Sequence, residues 1–196
     1  MLNLSPIVLA SQSKNREKIL DSLNIPFKVN AADIDEKAIE ERNPSLRARK
    51  VAQIKAEKIS RNHKGIIIAG DTFTVCEGKL LEKPKDRMEA TTMLKTLSGK
   101  LAICYTGFCY IDNVRNLKIL KTAKTTIRFR QMENKEIKNY VKRFPVTTWA
   151  AAYAASELYV LGLIDKISGS LTGLTHGLPL EYLIPLLKKS GYHPRP

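Results

Sequence analysis

The chain has 196 residues, of which 43% are hydrophobic, and it carries a formal net charge of +14. This size and composition predict one globular domain over residues 1–196 with a substantial core. The apolar runs at residues 66–69 and 159–164 are far shorter than the roughly 20 residues that span a bilayer, and the N-terminus lacks the basic and long apolar parts of a secretory signal. We therefore expect a cytoplasmic protein without a membrane-spanning helix, whose positive charge attracts nucleic acid, membrane phosphates or small polyanions.

The first hundred residues alternate strands and helices. In chain order, the predicted elements are a strand at 7–10, a helix after Ser13 as N-cap, a strand at 27–29, a helix at 45–60, a strand at 66–69, a hairpin of 73–76 with 80–81, and a helix from Asp86 to about residue 97. The strand at 66–69 is apolar throughout, as in a central strand covered on both faces, and we expect it to end at Gly70 and Asp71.

The second half of the chain is richer in strands. Its predicted elements are strands at 101–112 and 118–130, which pair across 113–116, then helices at 133–144 and 180–189, with residues 150–155 left ambiguous. Pro185 predicts a kink or a late start in the last helix. The whole pattern indicates an α/β or α+β fold with a mixed sheet.

Three cysteines and three histidines form no metal or disulfide pattern. Cys76, Cys104 and Cys109 are odd in number and lack C-x-x-C spacing, while the histidines are scattered. The sequence therefore favours neither a zinc site, nor a disulfide framework, nor a serine, histidine and aspartate triad.

The segment "ASQSKNR" lies between a predicted strand and the N-terminus of a helix. Free amides and the helix dipole make this position an anion site, to which Ser11 and Ser13 add hydroxyl donors. Arg16, one turn into the helix, could grip phosphate with its forked guanidinium. An ordinary serine cap is the alternative, and the chain has no Walker phosphate loop.

The chain also contains carboxylates and lysines that could act on a phosphorylated ligand. Asp33, Asp35 and Glu36 could hold a divalent cation from one face of an extended segment, or form a solvated loop. Asp71 at a strand end could accept a proton from water or bind a metal, or it could form an Asx turn. Lys83 is kept extended by the proline after it.

The segments "IVLASQSKNREKIL", "GDTFTVCEGKLLEKPKD", "LSGK" with "YTG", and "GLPL" resemble the Maf family in order and approximate spacing. These are nucleotide pyrophosphatases with a fold similar to the inosine triphosphate pyrophosphatase superfamily. The resemblance covers nearly the whole chain and implies a mixed twisted sheet flanked by helices, in two lobes with a central cleft. Ser11, Ser13 and Arg16 match the family pattern S-x-S-P-x-R, while Lys14 replaces its proline.

The resemblance implies hydrolysis of a nucleoside triphosphate between the α and β phosphates, with Mg²⁺ or Mn²⁺ and often in a homodimer. The residues that it implicates are Asp71, Lys55 and Lys83 in catalysis, Ser11, Ser13 and Arg16 on phosphate, and Asp35, Glu36 and Asp71 on the metal. Lys55 would otherwise be an ordinary exposed helix lysine, and it matters only if its helix borders the pocket. In this interpretation Gly70 turns the chain so that Asp71 faces the pocket, and a hairpin returns Lys83 to the phosphates.

The Maf family, which this chain resembles, has two branches that act on different substrates. One branch hydrolyses thymidine and uridine triphosphates, and the other hydrolyses 7-methylguanosine triphosphate. Their distinguishing positions fall on Asn15, Thr72 and either Ser156 or Glu157. Thr72 favours the first branch, Glu157 and the length of "GSLTGLTHGLP" favour the second, and Asn15 fits neither.

One loop departs from the family, and one alternative function stays open. Trp149 and Ala151 replace a basic residue and a glycine, so that a positive φ at Ala151 would be strained. Trp149 could stack on a base or belong to the core or an interface. The alternative function is a nucleic-acid-binding or protein-binding regulator of cell division without catalysis, which the clustered acids disfavour.

Overall fold

The computed structural model describes residues 4–36 and 38–194. Its strands are β1 (Ile7–Leu9), β2 (Lys28–Val29), β3 (Ile66–Cys76), β4 (Lys79–Leu81), β5 (Leu101–Asp112), β6 (Leu117–Phe129) and β7 (Ile164–Gly169). Its helices are α1 (Lys14–Asp21), α2 (Pro44–Ser60), α3 (Arg87–Leu97), α4 (Asn134–Arg143), α5 (Leu158–Leu161), α6 (Leu171–His176) and α7 (Leu180–Lys189), with two 3₁₀ turns, Val146–Thr148 and Ala150–Ala152, before α5. Within this described part of the chain, no helix is both long enough and apolar enough to cross a membrane.

The seven strands form one mixed sheet. Its order is β2-β1-β3-β5-β6-β7, with β4 also paired to β3. β1 runs parallel to β2 and β3, and the remaining pairs are antiparallel. The predicted mixed sheet flanked by helices is therefore confirmed.

One edge of β3 is interrupted. β5 pairs with β3 along its whole length. On the opposite edge, β1 pairs with Ile66, Ile67 and Ile68, whereas β4 pairs only with Thr74, Val75 and Cys76. Within residues 4–36 and 38–194, the stretch 69–73 thus has a strand neighbour on one side only, and we call this stretch the sheet break.

Residues of β3 belong to three clusters of the hydrophobic core. Ile66 and Ile68 join a cluster with α1 and α7, whereas Ile67 and Ala69 point to the opposite face and join a cluster with α2. Cys76, at the far end of β3, belongs to a third cluster with α3 and α4. β3 therefore runs from two clusters that cover its start on opposite faces to a third cluster at its end.

The predicted end of the strand at Gly70 and Asp71 is wrong. β3 continues through both residues to Cys76, because β5 pairs with it on every residue. Gly70 does not turn the chain, since only the glycines with a positive φ leave the extended or helical regions and Gly70 is not among them. Its lack of a side chain has another reason: a Cβ there would lie 2.8 Å from the Gly177 carbonyl oxygen and 3.0 Å from Arg16 Nε.

Two local predictions have mixed outcomes. Ser13 occupies the N-cap position of α1, but its side chain makes no capping hydrogen bond. The strain expected at Ala151 is present, because its φ is 56°, and Ala152 follows with a φ of 61°. Trp149 packs against the third cluster, with its ring centroid 6.2 Å from that of Phe144.

Candidate active site

Lys55 connects two carboxylates beside the sheet break. It lies on the buried side of α2, where Val51, Ala52 and Ala56 are also buried. Its Nζ lies 2.6 Å from Glu36 Oε1 and 3.3 Å from Asp71 Oδ1. Because the Lys55 side chain is only 11% exposed and that of Asp71 only 9%, this is a partly desolvated charge cluster. Lys55 is therefore not an ordinary exposed helix lysine.

Close packing of α2 on the sheet explains why Lys55 reaches Asp71. A Cβ on Gly107 would lie 1.9 Å from the carbonyl oxygen of Ala48, which is in α2. Gly107 is paired with Asp71 across the β3 and β5 ladder. Only glycine allows the helix to cross the sheet this closely, directly beside Asp71.

Arg16 is the second cation at the break, and it is buried. Its Nε donates to the Gly177 carbonyl oxygen at 3.0 Å, and its two terminal nitrogens donate to Ser11 Oγ at 2.9 Å and Thr72 Oγ1 at 3.1 Å. Burial lowers the pKa of the guanidinium, while the charges of Asp71 and Glu36 oppose this shift. A guanidinium titrates so far above neutral pH that Arg16 still carries its charge.

A group of uncharged polar side chains lies next to Arg16. Thr72 Oγ1 is 3.4 Å from Thr106 Oγ1, which in turn donates to the Gly173 carbonyl oxygen at 2.8 Å. Asn15 Nδ2 donates to Ser156 Oγ at 3.3 Å. Asn15 therefore contacts Ser156, whereas Glu157, the next residue, lies at the N-cap position of α5.

The two cations, Lys55 and Arg16, lie on opposite faces of the sheet. Asp71 and Thr72 are consecutive in β3, so their side chains point to opposite faces. Asp71 faces α2 with Lys55, whereas Thr72 faces α1 with Arg16. Between these two faces, no strand pairs with this edge of residues 69–73 within the described chain.

The remaining predicted residues surround this arrangement less closely. Ser13 donates its backbone N–H to Ser11 Oγ at 3.2 Å. Asp33 and Asp35 lie on the exposed loop that leads to Glu36, and the Asp33 carbonyl oxygen accepts a hydrogen bond from Lys58. Among the described residues, no group of three or more His, Cys, Asp or Glu side chains is suited to hold one metal ion.

Lys83 is exposed and follows β4, which brings the chain back alongside β3. The segment is tied down just before Lys83, since the strained Ala151 donates its N–H to the Glu82 carbonyl oxygen at 2.9 Å. The atypical loop therefore holds the segment just before Lys83 through the left-handed residue Ala151.

Three important residues were predicted only as parts of motifs. Thr106 and Gly107 form the end of "YTG", and the structure gives them the roles of supporting Thr72 and admitting α2. Gly177, in "HGLPL", presents its carbonyl oxygen to Arg16. The motifs that resemble the family contain all of these residues, although residue type alone predicted a role for none of them.

The sequence of this chain matches a known protein family. A sequence model of the family described as Maf-like protein matches residues 6–190. The chain belongs to the Maf family. This confirms the resemblance on which the expected fold was based, over nearly the whole chain.

Curated relatives of this Maf chain carry a more detailed description. A dTTP/UTP pyrophosphatase of Caldanaerobacter subterraneus subsp. tengcongensis is 38% identical over 185 residues, which cover 93% of this chain and 88% of the relative. A dTTP/UTP pyrophosphatase of Geotalea uraniireducens is 35% identical over 188 residues, which cover 95% of this chain and 96% of the relative. A solved structure of a nucleoside-triphosphatase, dITP/XTP pyrophosphatase, from Mycobacterium abscessus superposes with a TM-score of 0.44 at 10% identity, covering 95% of this chain and 94% of that one.

Proposed function

We propose that this Maf-family chain hydrolyses pyrimidine nucleoside triphosphates of the dTTP and UTP type to the nucleoside monophosphate and pyrophosphate. The observation that carries the proposal is its match, over 93% and 95% of its length, to two relatives named dTTP/UTP pyrophosphatase. The charge cluster of Lys55, Glu36 and Asp71 beside an open strand edge supplies the groups that such a reaction needs.

In the proposed reaction, a water oxygen forms a bond to the α-phosphorus as the bond from that phosphorus to the bridging oxygen breaks. Pyrophosphate leaves with the bonding electron pair, and Asp71 orients the water and accepts its proton. Lys55, Lys83 and Arg16 offset the negative charge that builds up on the phosphates, so their contribution is electrostatic and positional. Ser11 and Ser13 donate hydrogen bonds to phosphate oxygens.

The residues present are compatible with the divalent cation that the family implies. Glu36 and Asp71 converge on one cationic atom, Lys55 Nζ, so their oxygens already face a common point. Mg²⁺ is usually held by one or two carboxylates together with substrate phosphates and water, so a larger protein cage is not required. We propose Glu36 and Asp71, with Asp35, as the ligands of Mg²⁺ or Mn²⁺, which would neutralise phosphate charge when bound.

The uncharged group favours the pyrimidine branch. Thr72 is the residue of that branch, and Ser156 rather than Glu157 contacts Asn15. The contact between Asn15 and Ser156 argues against Glu157 as the residue at this position, which removes one of the two features that favour a 7-methylguanosine substrate. We propose that Asn15, Thr72 and Ser156 lie beside the base, while the triphosphate meets Lys55 and Asp71 on one face of the sheet and Arg16 on the other.

A pyrophosphate-release assay on dTTP, UTP, CTP and purine triphosphates, with Mg²⁺ or Mn²⁺, tests this function. We expect dTTP and UTP to be the best substrates, and Asp71→Asn to lower kcat by at least about 100-fold, as loss of a general base does. Asp165→Asn is the matched control, because Asp165 is an exposed residue of β7 outside the charge cluster. A well-folded protein that releases no pyrophosphate from any nucleotide, or an Asp71→Asn variant as active as the control, would contradict the proposal.

We also propose a homodimer and a cytoplasmic location, and both, like the alternative regulator function, need their own measurements. Light scattering after size exclusion tests the homodimer, and fractionation of cells tests the cytoplasmic location. The regulator alternative predicts binding to duplex DNA that weakens steeply with salt, together with no nucleotide hydrolysis.

A further inference from the structure

The backbone of β3 at the sheet break has a defined orientation. Ile66 donates its N–H to the Pro6 carbonyl oxygen, and Ile68 accepts from the N–H of Ala10, both at 2.8 Å. Both residues therefore direct their N–H and C=O groups toward β1. Because alternate residues of a strand direct these groups to the same edge, Gly70 and Thr72 direct theirs to this edge as well.

At Gly70 and Thr72 that edge has no strand to pair with. The pairing with β1 ends at Ile68, and the pairing with β4 begins at Thr74. Gly70 itself is buried, and Thr72 is half-buried. In residues 4–36 and 38–194, no backbone hydrogen bond outside the regular elements uses the Gly70 C=O or the Thr72 N–H. Buried backbone groups without partners are costly, which makes a ligand partner favourable here.

The hydrogen-bonding pattern of the Gly70 C=O and the Thr72 N–H indicates which part of a nucleotide can bind to them. A strand C=O and the N–H two residues later are complemented by a donor and an acceptor side by side, as on a neighbouring strand. Phosphate oxygens offer no donor, so the Gly70 C=O would repel them. The imide edge of uracil or thymine offers the N3–H donor directly beside a carbonyl acceptor.

We propose that the sheet break reads this base edge with main-chain groups: the Gly70 C=O accepts from N3–H, and the Thr72 N–H donates to the adjacent base carbonyl. The inference rests on the proposed function and extends it, since it assigns recognition to the backbone in addition to the side chains of Asn15, Thr72 and Ser156. The base thus adds to the sheet edge while the triphosphate extends toward Lys55 and Asp71 on the other face.

Two methylated substrates test the inference with the unaltered protein. 3-Methyluridine triphosphate lacks the N3–H, whereas 5-methyluridine triphosphate adds the same methyl group at a carbon that makes no hydrogen bond. We expect kcat/KM for the 3-methyl substrate to be about 10- to 100-fold lower than for the 5-methyl substrate, because a buried acceptor loses its donor. Values within about threefold of each other would overturn the inference.

An amide resonance gives a second readout that does not depend on turnover. With a non-hydrolysable α,β-imido analogue of UTP, the Thr72 amide proton should shift downfield, while the Phe73 amide, which points to β5, serves as control. The corresponding 3-methyl analogue should not cause this shift. An unshifted Thr72 amide in the presence of saturating UTP analogue would also overturn the inference.

The two proposals fail in different ways. If no nucleotide is hydrolysed, the proposed function is contradicted. If UTP is hydrolysed and both methylated substrates are used equally well, the function stands and only the backbone recognition is wrong.

Discussion

Replacing Lys55 by methionine removes the cation between Glu36 and Asp71 and keeps an unbranched side chain that fits the same space. The Asp71 carboxylate, whose side chain is only 9% exposed, would then stay in the protein without its cation. The Glu36 side chain is 46% exposed, so hydration by water replaces most of the stabilisation that this carboxylate loses with the Lys55 cation.

The size of the effect follows from the burial of the Lys55 and Asp71 pair. Breaking a buried ion pair by removing one partner costs about 3–5 kcal/mol, because the other charge is left uncompensated. We expect Lys55→Met to lower the free energy of unfolding by about 3 kcal/mol, the lower end of this range, because both side chains keep some exposure. For a chain of this size, this corresponds to a decrease in Tm of about 6–12 °C.

The assay is a double-mutant cycle of Lys55→Met and Asp71→Asn, with unfolding measured in urea and pyrophosphate release measured in parallel. The double variant should recover most of the stability lost in Lys55→Met, because the uncompensated carboxylate has gone. Its kcat should stay at least about 100-fold below that of the original chain, since both electrostatic groups are missing. The reasoning is refuted if Lys55→Met changes stability by less than about 0.5 kcal/mol, or if the double variant is less stable than Lys55→Met.

Three other predictions address separate parts of the molecule. Lys83→Met should lower kcat/KM about 10-fold or more with stability unchanged, because Lys83 is exposed, and Lys79→Met is the control on β4; equal loss in both would remove Lys83 from the site. Gly107→Ala should cost about 3 kcal/mol or more in urea unfolding and abolish activity, because the new Cβ meets the Ala48 carbonyl oxygen at 1.9 Å; a stable, active variant would contradict the packing of α2. Burial raises the pKa of Asp112, but hydrogen bonds to its carboxylate outweigh burial and keep the pKa below the ordinary value of 3.8. Its stabilisation should therefore be complete above about pH 4 and disappear as pH falls through the lowered value, so Asp112→Asn should lose less stability between pH 5 and 2 than the original chain.

Long, regular elements could be predicted from the sequence almost to the residue. The strand Leu101–Asp112 and the helix Leu180–Lys189 have the predicted bounds, and Pro185 lies inside that helix without delaying its start. The end of β3 was misjudged, because Gly70 and Asp71 are turn formers by type, whereas pairing with β5 outweighs this local preference. α5, β7 and α6 are short and weakly patterned, and they were not predicted.

The candidate site was predictable in its residues but not in its arrangement. The sequence named Lys55 and Asp71, yet their contact depends on Gly107, which admits α2 to the sheet. The contact between Asn15 and Ser156 joins positions that are 141 residues apart, and no local pattern encodes it. The sheet break likewise arises only when β1 and β4 pair with different ends of one strand.

Phosphorus-31 NMR of UTP hydrolysis in H₂¹⁸O tests the central claim most directly, because it identifies both the bond that breaks and the phosphorus that water attacks. We predict UMP and pyrophosphate as the only products, with ¹⁸O on the phosphate of UMP, and loss of this reaction in Asp71→Asn. Formation of UDP and orthophosphate, or ¹⁸O in pyrophosphate, would contradict the account.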